Sequence, residues 1–163
     1  MSAAVAIEGR SLVAGRGQGT LLHADLGLSF WGGVDPFSGE VIDRHHPLSG
    51  QSLAGRILAI PSGRGSCTGS SVLLELILNG PAPAALVLAE PDEILSLGAL
   101  VAEHVFDVQL PMLCIGHAAF AELAAHAGAI ARIDGEHLQL FGSVPDDGWR
   151  ATPIAHDSTQ PGS

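Results

Sequence analysis

Between Arg56 and Gly116 the chain alternates short apolar runs with helical patterns, and this alternation restricts it to folds built from βαβ units. "RILAIP" (56–61) reads as a buried strand. A glycine-serine turn follows, then Gly69 to Leu78, apolar on nearly every side and stopped by "NGPAP", which predicts a buried helix. "AALVLAE" (84–90) is the next strand. "PDEILSLGALVAEHVF" predicts a helix opened by Pro-Asp-Glu, with Ile94, Leu97, Leu100 and Val101 at core spacing. "PMLCIG" reads as a third buried strand with Cys114 in the core. "HAAFAELAAHAG" predicts a helix with Phe120, Leu123 and Ala127 on one face, ended by Gly128.

The chain before Arg56 has a different texture. "AVAIEG", "SLVAG", "TLLHADLGLSFWGG" and "GEVID" read as short strands separated by Gly-rich or Pro-containing links. Beyond Gly128, "AIARIDGEHLQLFG" predicts a hairpin turning at Asp134-Gly135. From Asp146 onward periodicity is lost, so the expected division is an ordered domain over 1–145 and a mobile tail over 146–163. No internal repeat is visible. The class is mixed α/β with a β-rich N-terminal half. It is not a doubly wound nucleotide fold, because the first strand–turn–helix unit starts only near residue 56.

At 163 residues the chain makes one domain with one sizeable core. Its 17 acidic residues face seven arginines and no lysine, a formal charge of −10, which opposes nucleic acid or an anionic membrane as partner. Without lysine, Schiff-base chemistry and the Gly-Lys phosphate loop are excluded. Two cysteines, no secretory leader and no apolar run of membrane-spanning length predict a soluble cytoplasmic protein with no disulfide framework. Two thiols alone fall short of the four that an iron–sulfur cluster normally takes.

The turn "SGRGSCTG" between strand and helix is where chemistry is expected. Free backbone N–H groups and the positive end of the helix dipole converge on such a turn, and Gly63, Gly65 and Gly69 would let its backbone approach a ligand. Three motifs fail. Positions 68 and 69 are Thr-Gly and not Gly-Lys; Ser66 follows Gly65 directly, so no nucleophile elbow forms; the dinucleotide fingerprint lacks its third glycine and its acidic partner. Ser66 remains, with no local base. A helix terminus supplies about 0.3–2 kcal/mol, roughly one pKa unit or slightly more at 1.36 kcal/mol per unit. That cannot make a hydroxyl basic by itself, so the rest must come from another domain or subunit.

"GRGSCTGSSVL" resembles the glycine-serine turn in the mobile swivel domain of the aconitase superfamily, whose first serine after the glycine is the catalytic base. The longer stretch from about Leu28 to Gly116, with "WGGVDP" followed by "PSGRGSCTGSSVL", is similar to the small subunit of aconitase X. The resemblance implies a swivelling β/β/α domain that caps a separate large subunit carrying an iron or iron–sulfur centre, with no metal ligand on this chain. It implies dehydration of a small hydroxy acid: cis-3-hydroxy-L-proline in the bacterial branch, mevalonate 5-phosphate in the archaeal one. The Ala-rich, lysine-free composition favours the first.

Carried over by position, Ser66 takes the Cα proton while the partner's metal draws off the hydroxyl. Gly63, Arg64, Gly65, Cys67 and Thr68 would line the substrate. Relatives in the superfamily hold a substrate carboxylate with an arginine two residues after the serine; here that residue is Thr68, and Arg64 is the substitute. Asp35 and His46, in the other half of the signature, are further candidates for the shared site. His45 and His46 are adjacent and point apart, against a joint metal role. The remaining histidines, His23 and His117 among them, read as surface or helix-end residues. Two other classes stay open: a phosphohistidine carrier, disfavoured because Gly63 to Gly69 contains no histidine, and a stand-alone binding module.

Overall fold

A computed structural model describes residues 5–63 and 68–151, the Thr68 side chain excepted. Strands β1 (Val5–Glu8), β2 (Arg10–Val13) and β3 (Arg16–His23) open the chain, and a distorted single turn, α1 (Phe30–Gly33), follows. Then come β4 (Ile57–Ile60), α2 (Thr68–Asn79), β5 (Ala85–Leu88), α3 (Glu93–Phe106), β6 (Met112–Cys114) and α4 (His117–Leu123), and the hairpin β7 (Ile130–Asp134) and β8 (His137–Phe141) ends the order.

The eight strands run β1-β8-β7-β3-β4-β5-β6-β2. β3, β4, β5 and β6 are parallel neighbours, whereas β1, β8, β7 and β3 pair antiparallel. The first and last strands of that order, β1 and β2, are joined by Gly9 alone, so the sheet folds back on itself. A side chain at Gly9 would sit 2.5 Å from the Cys114 carbonyl oxygen, which is why this joint is glycine.

Strand alternation builds the layers. Ile57, Ala59, Ala85, Val87, Leu113 and Leu21 face one core, shared with Ala131, Ile133, Leu138 and Leu140 of the hairpin half. Leu58, Ile60, Leu86, Leu88, Met112 and Leu22 face the other, under Val72, Leu73, Leu76 and Ile77 of α2 and Leu95, Ala99 and Ala102 of α3. Sheet, sheet and helices stack in three layers, the β/β/α arrangement the resemblance implied. Helices α2 and α3 pack tightly because Gly98 of α3 leaves no Cβ, which would lie 2.7 Å from the Ser70 carbonyl oxygen.

Several expectations are corrected in detail. "GEVID" forms no strand; Val34–Val41 and Glu40–Ser52 are isolated bridges inside an irregular crossover between β3 and β4. The core face of α3 is Leu95, Gly98, Ala99 and Ala102, while Leu97 and Leu100 are exposed. The helix is apolar almost all round, and the neighbour it must approach selects the small residues. On α4, Phe120 and Leu123 are buried as expected but Ala127 is exposed. Cys114 is half-buried, its Sγ 3.6 Å from the Ala89 carbonyl oxygen. The segment after Phe141 keeps contacts with the sheet. Asp147 pairs with the buried Arg132 at 2.9 Å, and the Trp149 ring lies 4.4 Å from that guanidinium.

Candidate active site

The turn after β4 opens at the carboxyl-terminal edge of the parallel strands, the edge where ligands bind in open α/β sheets. Its entry is fixed by three hydrogen bonds and a parallel bridge. The Pro61 carbonyl accepts N–H groups from Ala89 at 3.1 Å and Glu90 at 3.2 Å, tying the strand end to β5. Gly63 pairs with Leu28 in a parallel bridge, and its N–H donates to Asp92 Oδ2 at 2.8 Å. The other oxygen of Asp92, Oδ1, accepts the Leu95 N–H at 3.0 Å and so caps α3.

Ser66, with Arg64, Gly65, Cys67 and the Thr68 side chain, lies outside the described residues. The exit is described: α2 begins at Thr68, and its first turn, at Ser70, lies against Gly98 of α3. A twelve-residue helix directs its N-terminal dipole end at this turn.

His46 is 3% exposed and fully engaged. Its Nδ1 accepts the Leu48 N–H at 3.1 Å, so the ring hydrogen is on Nε2, which donates to the Leu26 carbonyl at 3.1 Å. Leu26 is two residues from Leu28, the partner of Gly63, so His46 braces the segment that flanks the turn. Asp35 belongs to a different place. Its Oδ1 accepts the Phe37 N–H at 2.9 Å, and the Pro36 carbonyl accepts from Asn79, the last residue of α2. The helix separates that end from its start by roughly 16 Å at 1.5 Å per residue. The Phe37 N–H holds the Asp35 carboxyl below the usual 3.8; desolvation opposes this and the Ser38 hydroxyl and N–H assist it.

Four side chains that spacing did not single out stand on the same strand edge. Asp92, read only as part of a helix start, also reaches back 29 residues to Gly63. Glu90 and His117, which follow β5 and β6, pair at 3.0 Å on the exposed rim. His23 at the end of β3 is not a surface residue: its side chain is buried, Nε2 lies 2.9 Å from the Phe120 carbonyl oxygen, and the ring packs on Phe120 at 4.4 Å. Asp92 also lines an open cavity of ≈ 340 Å³ with Arg10, Leu12, Pro91, Ser96 and Leu97. Among the described residues no three His, Cys, Asp or Glu side chains come together as a metal-ligand set, and no helix is long and apolar enough to cross a membrane.

The family model described as the aconitase X swivel domain matches residues 6–140. A cis-3-hydroxy-L-proline dehydratase from Pseudomonas aeruginosa is 64% identical over 136 residues, which are 83% of this chain and 23% of that protein. A phosphomevalonate dehydratase small subunit from Thermococcus onnurineus is 44% identical over 96 residues, 59% of this chain and 74% of that one. The chain thus spans under a quarter of the Pseudomonas relative but most of the archaeal subunit. The structure titled aconitase X of Thermococcus kodakaraensis, holo form, superimposes with a TM-score of 0.74 at 31% identity, covering 85% of this chain and 99% of that one. The layered fold, the glycine-serine turn and these matches together establish that the chain belongs to the aconitase X swivel-domain family.

Proposed function

We propose that this chain is the swivel domain of a hydro-lyase that dehydrates cis-3-hydroxy-L-proline to a pyrroline-2-carboxylate, with Ser66 as the base. The observation that carries the reading is the 64% identity, across 83% of the chain, to a relative named for that activity. The archaeal subunits named for phosphomevalonate share less over a shorter stretch, and they define the alternative.

In this reading the Cα–H proton passes to the Ser66 oxygen in its alkoxide form, and the electrons of that C–H bond form a double bond to C3. The C3–O bond breaks with its electrons going to the departing hydroxyl, and the proton gained by Ser66 is passed on to that hydroxyl, which leaves as water and restores the alkoxide. Tautomerisation of the enamine gives the pyrroline. The base sits in the segment leading into α2, whose dipole lowers the cost of negative charge on oxygen, though by far too little to act alone. Arg64, with Gly63, Gly65, Cys67 and Thr68, is assigned to the substrate and its carboxylate. An iron or iron–sulfur centre, which would supply the chemistry for hydroxyl departure, is assigned outside this chain, whose described residues offer no ligand set. The remainder of the enzyme is a large partner unit, as a separate subunit in a cytoplasmic complex or as further chain. Both arrangements suit a domain that matches 74% of one relative and 23% of another.

The test is a dehydration assay of the complete enzyme with both substrates. The expected result is turnover of cis-3-hydroxy-L-proline and none of mevalonate 5-phosphate. The reverse result would move the chain to the isoprenoid reaction, and catalysis by the 163-residue chain alone would reject a divided active site.

A further inference from the structure

We infer that Asp92 is a positioning residue for Ser66, acting through the backbone that leads into the turn. This rests on the proposed role of Ser66 but concerns residues that spacing and family resemblance left without a function.

The geometry is a two-point brace from one helix. At its N-terminus, α3 presents Asp92, whose two carboxylate oxygens are divided between the chain's own cap and the turn: Oδ1 on the Leu95 N–H at 3.0 Å, Oδ2 on the Gly63 N–H at 2.8 Å. Two turns further along, Gly98 lets the Ser70 backbone rest directly on the helix. Gly63 is the last described residue before Ser66, and Ser70 lies in the first turn after it. Gly63 and Ser70 flank Ser66 in sequence, and both are held against a single rigid element.

A neutral N-cap needs one acceptor. A carboxylate has a second, and here it takes an N–H from a segment 29 residues away. Space at this anchor is tight, since a Cβ on Gly63 would meet Asp92 Oδ2 at 3.0 Å and Leu95 Cδ1 at 3.2 Å. The anchor therefore fixes where the chain stands as well as the bond it makes. An enzyme whose base must meet a reactant held by another unit depends on such placement, because misplacement by about 1 Å can cost on the order of 10²-fold in rate.

The variant that isolates this role is Asp92→Asn in the complete enzyme. Asparagine caps helices as well as aspartate, so the Leu95 bond survives. Its amide nitrogen then faces the Gly63 N–H, donor against donor. The expected result is a kcat lower by roughly 10²-fold with KM changed by less than about threefold. Hydrogen–deuterium exchange should be faster in the peptide carrying Gly63, and the thermal midpoint should stay near that of the parent. Retained kcat with faster exchange would overturn the inference, and so would unchanged exchange, which would mean that Asp92 does not hold Gly63. A collapse of the thermal midpoint would assign Asp92 to folding alone. Failure of the underlying reading is separately visible, since it would leave Ser66→Ala fully active whatever Asp92→Asn does.

Discussion

Three crossovers cover the same face of the parallel strands, and they do so in two ways. Between β4 and β5 and between β5 and β6 the cover is a helix, which satisfies its own backbone and needs only an apolar stripe and room to approach. Between β3 and β4 it is an irregular segment, residues 24–56, that buries Leu28, Phe30, Val34, Val41, Leu48 and Leu53 equally well. Apart from the distorted single turn α1, its backbone has no helix to close it. Backbone turn bonds close part of it, such as the Gly39 N–H to the Asp35 carbonyl and the Leu53 N–H to the Gly39 carbonyl. Side chains close more, each taking the N–H two residues on: Asp35 from Phe37, Ser38 from Glu40, Asp43 from His45, His46 from Leu48 and Ser52 from Ala54. The helical cover therefore rests on apolar area, and the irregular cover needs particular polar side-chain atoms in addition to its apolar area and backbone turns. Trp31 and Phe37, 61% and 77% exposed, stand out from the second cover.

The comparison breaks if polar substitutions cost the same in both covers. His46→Ala leaves the buried Leu48 N–H without its acceptor and the Leu26 carbonyl without its donor, and should destabilise by about 1–3 kcal/mol. Glu75→Ala on the exposed side of α2 should stay within about 0.5 kcal/mol. Urea unfolding of the two variants measures the contrast, and equal losses would contradict it.

A smaller effect sharpens the same point through pH. A carboxyl held lower in the folded than in the unfolded chain binds fewer protons when folded. The stability Asp35 gives its turn is then complete above the unfolded value of 3.8 and is lost as pH falls through the lower folded value. Carbon NMR of the side-chain carboxyls should find Asp35 titrating below 3.8, and Asp35→Asn should remove that acid step while leaving the turn closed at neutral pH. Asp147 should behave likewise, since the Arg132 hydrogen bond lowers it.

The same division explains what could be read from the chain. Helix α2 ends at Asn79, just before Gly80, as "NGPAP" indicates, and the hairpin turns at Gly135, because both signals are local and backbone-driven. The outcome differed where a distant neighbour decided. On α3 the apolar spacing of Ile94, Leu97 and Leu100 carried no information about which face α2 would need, and Gly98, Ala99 and Ala102 won because they let two backbones meet. "GEVID" has strand composition but no partner strand beside it. Asp92 announces a helix start in sequence, and nothing in its neighbourhood announces Gly63. Ser66 was legible only through the glycine-serine turn and its family resemblance, and it lies outside the described residues.

The account turns on whether this domain carries the proton acceptor. The decisive measurement is the turnover of cis-3-hydroxy-L-proline by the complete enzyme carrying Ser66→Ala, with assembly verified. The predicted result is normal assembly and a kcat reduced by roughly 10²–10⁴-fold or more, the scale of a lost general base. Undiminished turnover by the assembled variant would contradict it.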